Sequence, residues 1–245
     1  MRIVKRSKLS VKLILRFVKD LVANNKFKFA KKRTSNIEYN SAVSISQEIK
    51  PGETFDNKVF NLALASGKIN EYEIMPDEIF SFWKIVGNPN RGFKKGRTLL
   101  NGKIKEETGG GICQVSGIIY NVSVIAGLQI LERHNHSIDI YTDETRFAPL
   151  GLDATVVYGY KDLRIKNNFS FPIKFELKVD GNRITAELLS TEKIKEQALS
   201  FESETDDTHV TVAVKNEKGL IINRSAYIKN SDNYKSYITP KNKLN

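Results

Sequence analysis

The sequence predicts an α+β fold in which a central helix, with the lone cysteine at its N-terminus, packs on a mainly antiparallel sheet. Residues 112–126 place apolar side chains at the i, i+3, i+4 and i+7 positions of one helical face. Residues 171–189 and 208–228 alternate as β-hairpins do, and Asp180-Gly181-Asn182 supplies the turn of the first. One helix followed by hairpins favours antiparallel strands, with hairpins closing the C-terminal part.

The first element is a basic amphipathic helix over residues 8–22. Its basic side chains share one stripe at helical spacing, and apolar side chains lie beside that stripe. The stripe consists of Lys5, Lys8, Lys12, Arg16 and Lys19. Such a helix can lie on an anionic membrane surface, or it can pack on the domain and leave its lysines in water.

The net charge of the chain is concentrated in the same segment. Residues 1–33 contain twelve basic residues and one acid, Asp20, which accounts for the whole formal charge of +11. The rest of the chain holds 27 basic and 27 acidic residues. A neutral body excludes a uniformly basic nucleic-acid-binding protein, so we expect no nucleic-acid partner.

The remaining predicted elements are short. They are a strand at 41–45, a helix at 56–68 begun by Asp56 and ended by Gly67, strands at about 128–133, 136–141 and 153–158, and an acidic loop at 190–207. We divide the chain into three parts. They are a basic helix with its linker over residues 1–35, a main domain over 36–190, and a C-terminal β-hairpin extension over 191–245.

The sequence also favours a cytoplasmic location. Cys113 is the only cysteine, so an internal disulfide is impossible, which suits a reducing compartment. Lysines and Arg16 interrupt every apolar run near the start, so a secretory h-region is absent. No apolar run approaches the roughly 20 residues of a transmembrane helix. We expect a cytoplasmic protein, or one bound peripherally to the inner membrane face through residues 1–33.

Cys113 is the first candidate for chemistry, because three glycines precede it at the start of a helix. Exposed amides at a helix N-terminus favour an anion such as a thiolate and can lower a cysteine pKa. Glycines also let backbone amides approach a substrate, as an oxyanion hole requires. We therefore expect Gly109, Gly110, Gly111 and Gln114 to line the binding site. The alternative is a buried structural thiol, but the helical phase places Cys113 opposite the apolar face.

Two of the three histidines, His134 and His136, form the second candidate. On a strand they share one face, which points towards the domain. Either could act as a general base or form an ion pair with the thiol, or both could be structural. Asp153 begins an apolar segment and could orient a histidine, although an aspartate at a strand start needs no such role.

The same residue types also permit a zinc site. Cys113, the two histidines and Asp153 could together make four ligands. No Cys-x-x-Cys or His-Glu-x-x-His spacing supports that alternative, so we predict neither a metal nor a cofactor. In the turn-rich stretch before the cysteine, Arg97 is a candidate for binding an acidic group of the substrate.

Three segments of the chain resemble the signature of the VanW family, which is named for an accessory gene in vancomycin-resistance clusters. They are FSFWKIVGNP, GRTLLNGKIKEETGGGICQVSGIIYNVSVIAGLQILERHNHS and PLGLDATVVYGYKDLRIKNN. The match runs from about Phe55 to Ile173. Gly117 and Trp83 stand where the family usually has other residues. The resemblance implies a bacterial protein linked to the glycopeptide response, the cell envelope or peptidoglycan, and it implies no particular reaction.

The order of these motifs is also similar to that of transglutaminase-like and papain-like cysteine enzymes. This sequence and those enzymes share a glycine-rich turn, a cysteine at a helix start, a strand histidine and then an acid, in that order. That similarity implies that Cys113 is the nucleophile, His136 or His134 the base, and Asp153 the orienting acid.

Two functions remain open from the sequence. The first is a cysteine-dependent acyl-transfer or amide-hydrolysis enzyme acting on a peptide-like or cell-envelope substrate. The second is a non-catalytic module that binds an envelope fragment and is docked at the membrane surface by the basic helix.

Overall fold

The computed structural model describes residues 2–25, 28–33, 35–100, 103–139, 146 and 148–229 and has the α+β architecture that the sequence predicts. Its helices are α1 (Arg2–Val22), α2 (Phe55–Ile69), α3 (Phe82–Val86) and α4 (Cys113–Ile125). Its strands are β1 (Lys31–Lys32), β2 (Ser41–Glu48), β3 (Tyr72–Ile74), β4 (Ile79–Ser81), β5 (Lys95–Leu100), β6 (Lys103–Thr108), β7 (Gln129–Glu132), β8 (Arg164–Lys166), β9 (Ile173–Asp180), β10 (Arg183–Ser190), β11 (Ser200–Thr205), β12 (His209–Lys215) and β13 (Ile221–Ile228). No helix among the described residues has the length and apolar character needed to cross a membrane.

A five-stranded sheet of order β1-β3-β9-β10-β2 forms the centre, and its neighbouring strands all pair antiparallel. The β9–β10 hairpin turns at Gly181, whose φ of 56° lies in the left-handed region that glycine adopts without strain. Every second residue of β10 is buried, because one face of the sheet covers the core. The first predicted hairpin is therefore confirmed.

Helix α4 is the central helix of the fold, and it is enclosed on all sides. Every residue from Gln114 to Val124 is buried, including those on the face that the sequence left polar. Two of its polar side chains bond internally: Ser116 donates to the Ala154 carbonyl at 2.6 Å, and Ser123 donates to the Ile119 carbonyl at 2.7 Å. The helix is therefore confirmed, but it has no single apolar face for Cys113 to lie opposite.

Helix α2 packs beside α4 against the central sheet. It covers the predicted helix at 56–68, with two differences at its ends. The N-cap residue is Thr54 and not Asp56, which lies in the first turn. Gly67 does not end the helix, which continues to Ile69, because the exposed helical backbone there accommodates a glycine.

The described residues also form three smaller sheets, with strand orders β4-β8-β7, β11-β12-β13 and β5-β6. The second predicted hairpin is confirmed by β12 and β13, and the strand predicted near 128–133 is confirmed by β7. The loop predicted at 190–207 is partly wrong, because residues 200–205 form β11 on the edge of that hairpin. The hairpin β5–β6 directly before the glycine turn was not predicted.

The strands predicted at about 136–141 and 153–158 are wrong where the structure describes them, and residues 140 and 141 lie outside the described part. The two segments form loops that face each other. Their backbone groups are satisfied singly: the Thr155 amide donates to the His134 carbonyl at 2.7 Å, and the His136 amide donates to Asp153 Oδ2 at 2.7 Å. Single bonds to backbone and side-chain groups thus replace a regular ladder, and the loops hold the candidate site.

Candidate functional site

The glycine turn before Cys113 is fixed by close backbone contacts. A Cβ added to Gly110 would lie 2.1 Å from the backbone carbon and oxygen of Gly96 on β5. Gly111 has a φ of 92°, and a Cβ there would lie 2.6 Å from Cγ of Lys58 on α2. The glycines therefore let α2, β5 and the start of α4 meet at van der Waals distance, which positions Cys113 at the meeting point.

Cys113 is partly buried in this position and faces two segments of loop. Its sulfur lies 3.7 Å from the Thr155 hydroxyl and 3.9 Å from the Val156 carbonyl oxygen. Burial raises the pKa of the thiol, but the hydrogen bond and positive charge of His136 outweigh burial and hold that pKa below its ordinary value. The thiolate is thus favoured by a charge partner rather than by the helix start alone.

His136 is oriented by Asp153. Nδ1 of His136 lies 2.6 Å from Oδ2 of Asp153, which leaves Nε2 for the thiol. Burial lowers the pKa of His136, whereas Asp153 and the thiolate raise it, and the result lies well above the ordinary histidine value. The lowered pKa of Cys113 and the raised pKa of His136 together favour a thiolate–imidazolium pair.

Asp153 is in turn held by two residues from other parts of the chain. Nη2 of Arg133 lies 2.8 Å from Oδ1 of Asp153, and the Tyr227 hydroxyl on β13 donates to the same oxygen at 2.5 Å. Burial raises the pKa of Asp153, but His136 and Arg133 lower it to about 2, so the acid stays ionised. Burial and the neighbouring carboxylate raise the pKa of Tyr227, which keeps it a hydrogen-bond donor.

His134 is directed away from this cluster. Its Nε2 lies 3.1 Å from Oε1 of Glu132, which also accepts from the Asp162 amide. Of the two histidines that the sequence singled out, the structure therefore brings only His136 to Cys113. The two do not share a face, because the segment is a loop and has no strand alternation.

A cavity of about 400 Å³ opens at the thiol and the imidazole. Gly111, Gln114 and Arg97 line it, as does Asp153. Gly109 and Gly110 do not line it, since their surroundings are Pro89, Ile112 and the backbone of Gly96. The side-chain amide of Gln114 is already used, because its Nε2 donates to the Glu48 carbonyl at 2.9 Å.

Two cations, Lys58 and Arg97, share one wall of the cavity. Burial and the neighbouring charge of Arg97 lower the pKa of Lys58 to about 8. Among the residues that the structure describes, no carboxylate forms an ion pair with either side chain. Although Glu53 also lines the cavity, two neighbouring cations that form no ion pair among the described residues favour binding of an anionic group of a ligand.

Sequence reasoning missed Arg133, Tyr227 and Lys58. Arg133 stands directly before the two histidines, so its neighbourhood was a usable signal. Lys58 lies in a helix 55 residues from Cys113, and Tyr227 lies in a hairpin of the C-terminal part. Nothing local in the sequence links either of them to the cysteine.

The zinc alternative receives no support from the described residues. No group of three or more histidine, cysteine, aspartate or glutamate side chains among them is arranged to hold a metal ion. Cys113, His136 and Asp153 instead form a linear chain of contacts in which His136 occupies the middle.

Comparison with known proteins finds one family and two curated relatives. A family described as "VanW like protein" matches residues 57–189. The chain is 36% identical over 136 residues to "Uncharacterized protein YoaR" of Bacillus subtilis (strain 168). It is 32% identical over 137 residues to "Vancomycin B-type resistance protein VanW" of Enterococcus faecalis (strain ATCC 700802 / V583).

The matched regions cover 55% of this chain in both comparisons, and 43% and 50% of the two relatives. The chain thus spans about half the length of the curated relatives it matches. The family match contains Cys113, His136 and Asp153 and ends before Tyr227. No solved structure matches the chain significantly.

Proposed function

Because this chain belongs to the VanW family, we propose that it is a cysteine-dependent enzyme that transfers or hydrolyses an acyl group of a peptide-like cell-envelope compound. The family is linked to vancomycin resistance. The observation that carries the proposal is the chain of contacts in which Asp153 holds Nδ1 of His136 and His136 lowers the pKa of Cys113. A thiolate, an imidazolium and an orienting acid supply a nucleophile and a proton carrier.

In the proposed reaction the thiolate of Cys113 attacks the carbonyl carbon of an amide. A C–S bond forms, and the carbonyl electron pair moves onto the oxygen. We assign the backbone N–H of Cys113 as the donor to that oxygen, because the first amides of a helix have no partner within the helix.

His136 carries the proton in both halves of the reaction. The imidazolium protonates the leaving nitrogen as the C–N bond breaks, and a thioester remains on Cys113. The neutral imidazole then takes a proton from water, or from an acceptor amine or hydroxyl, as that group attacks the thioester and releases the thiolate. Water gives amide hydrolysis, and another acceptor gives acyl transfer.

Lys58 and Arg97 extend the proposal to the substrate. Both side chains line the cavity that also holds the thiol, and neither forms an ion pair with another described residue. We assign them to an anionic group of the substrate, such as a peptide carboxylate. Binding that group away from the thiol would fix the position of the scissile carbonyl.

The experiment that tests the proposal traps the thioester. Purified protein is incubated with a mixture of peptidoglycan stem peptides, quenched in acid and analysed by mass spectrometry. We expect an acyl adduct on the peptide that contains Cys113, and none in Cys113→Ala. His136→Gln should slow adduct formation by about 10²- to 10⁴-fold, and the matched variant His134→Gln should leave it unchanged.

The alternative function gives a different result in the same experiment. If the cavity only binds an envelope fragment, the stem peptides will bind equally well to wild-type protein and to Cys113→Ala. Neither an adduct nor a shortened or transferred product will then form. That outcome would show that the protein is a binding module and not an enzyme.

A further inference from the structure

Two ion-paired side chains and Leu9 attach helix α1 to the rest of the protein. Arg16 forms an ion pair with Glu132 at 2.7 Å and donates to the Tyr160 carbonyl at 2.8 Å. One turn later, Asp20 forms an ion pair with Arg164 at 2.5 Å. These buried and half-buried contacts fix which face of the helix points inward.

The face of α1 that points outward is apolar. Five side chains at the spacing i, i+3, i+4, i+7 and i+11 form one stripe, which we call the outer stripe. Their exposed fractions are 54% for Val11, 61% for Ile14, 56% for Leu15, 47% for Val18 and 84% for Val22. A helix that covers a core buries such a stripe, whereas this one presents it to the surroundings.

Basic side chains border the outer stripe. Lys8, Lys12 and Lys19 are exposed and follow one another at helical spacing between the outer stripe and the attached side. The single acid of residues 1–33 is Asp20, which is buried and paired. Tyr160 is exposed beside the helix, with its ring 4.3 Å from Nζ of Lys12. An aromatic ring with a polar end suits a membrane–water boundary.

We propose that α1 docks this protein on an anionic phospholipid surface, with the helix in the plane of the surface and the outer stripe inserted among the acyl chains. An apolar stripe with a cationic border matches that surface in both polarity and charge. A second copy of the chain matches it poorly, because twofold pairing of two such helices would bring their lysine rows together. This docking is independent of any chemistry at Cys113.

The loop between the site and α1 gives the docking a consequence for the site. Val157 lines the cavity beside Cys113. Three residues later, Tyr160 contacts α1, and between them Gly159 packs under Leu9 so closely that an added Cβ would lie 2.5 Å from Cδ1 of that leucine. Docking through α1 therefore attaches one segment of the cavity rim to the helix that lies on the lipid surface, and its relevance to an envelope substrate rests on the proposed function.

The test is co-sedimentation of the full chain with vesicles made of equal parts of phosphatidylcholine and phosphatidylglycerol, compared with vesicles of phosphatidylcholine alone. We expect binding to the anionic vesicles that weakens as salt is added. The double variant Ile14→Gln/Val18→Gln should reduce the partition coefficient by about thirtyfold or more. The double variant Lys8→Gln/Lys19→Gln should reduce it by about thirtyfold.

Matched controls place the same changes elsewhere on the exposed surface. Leu220→Gln/Ile221→Gln alters two exposed apolar residues of the β12–β13 hairpin, and Lys193→Gln/Lys218→Gln removes two exposed lysines. Both controls, and Cys113→Ala, should bind as the wild type does. Equal binding by the α1 variants and their controls would overturn the proposal. So would absence of vesicle binding together with a dimer in sedimentation velocity that the α1 variants abolish.

Discussion

At the residue scale, the thiol of Cys113 is subject to two opposing effects. Burial favours the neutral thiol, whereas the charge and hydrogen bond of His136 favour the thiolate and outweigh burial. Asp153 makes that possible, because its carboxylate keeps the imidazole charged, and His136 and Arg133 together keep the carboxylate ionised. The lowered pKa of the cysteine therefore depends on a relay of contacts that begins outside the cavity.

The surroundings of Lys58, on the wall of the cavity, also shift its pKa. Its pKa is lowered to about 8 because burial and Arg97 both disfavour its charge. The pKa of Lys58 in the folded protein lies below the unfolded value of 10.5. Protonation of Lys58 therefore favours the unfolded state and lowers the free energy of unfolding. This decrease is absent above pH 10.5 and grows as the pH falls towards 8.

We therefore predict that Lys58→Met stabilises the protein at pH 7, by about 2 kcal/mol, and weakens binding of anionic peptides. Urea unfolding with and without ligand measures both effects. Lys95→Met, which removes an exposed lysine nearby, serves as the control and should change neither quantity. A destabilised Lys58→Met that still binds anionic peptides would show that Lys58 is ordinary structure.

At the scale of elements, the glycine turn joins three of them. Gly110 touches the backbone of Gly96 on β5, and Gly111 lies under the stem of Lys58 on α2. The start of α4, and with it Cys113, is set by these contacts. The sequence predicted that all three glycines line the binding site. Gly111 does line the cavity, whereas Gly109 and Gly110 do not, and Gly110 and Gly111 make these packing contacts.

Gly110→Ala should accordingly destabilise the protein by about 3 kcal/mol or more. The new methyl group would meet backbone atoms at 2.1 Å, and backbone cannot rotate aside as a side chain can. Thermal unfolding measures the effect. The control is Gly67→Ala, which lies in α2 with open space around it and should raise stability by about 0.5–1 kcal/mol. Equal unfolding temperatures for the two variants would contradict this reading of the turn.

Short-range sequence patterns correctly predicted the helices and turns that are formed by interactions between residues close together in the chain. The apolar periodicity of residues 112–126 predicted α4, and Asp180-Gly181-Asn182 predicted the β9–β10 turn. The strand predicted over the histidines is wrong because Asp153, 17 residues further on, takes the His136 amide as a hydrogen-bond donor. A long-range contact of that kind leaves no trace in the alternation of residues.

At the scale of the whole molecule, the site is assembled from segments far apart in the chain. Cys113 comes from α4, Lys58 from α2, Asp153 from a loop and Tyr227 from β13. The sequence could link Cys113 with Asp153 only through the order of motifs along the chain. It could not find Tyr227, because only the packing of the C-terminal sheet brings that hydroxyl to Asp153.

The orientation of α1 is also a property of the whole molecule. The sequence left open whether the apolar side of that helix covers the domain or faces outward. Arg16 and Asp20 decide this, since both form ion pairs with the body of the protein and turn the outer stripe away from it. The exposed lysines of this helix therefore lie beside an exposed apolar face.

The central claim is that Cys113 is a thiolate held by His136 and Asp153, and the pH profile of its alkylation by iodoacetamide tests this claim most directly. Asp153→Asn removes the negative charge behind His136, which lowers the histidine pKa and raises the cysteine pKa. Wild-type protein should react at pH 6 nearly as fast as at pH 8, whereas Asp153→Asn should react at least about tenfold more slowly at pH 6. Asp207→Asn, an exposed control, should match the wild type. A wild-type profile that rises like that of a free thiol, with a midpoint near pH 8.5, and that Asp153→Asn leaves unchanged would contradict the account.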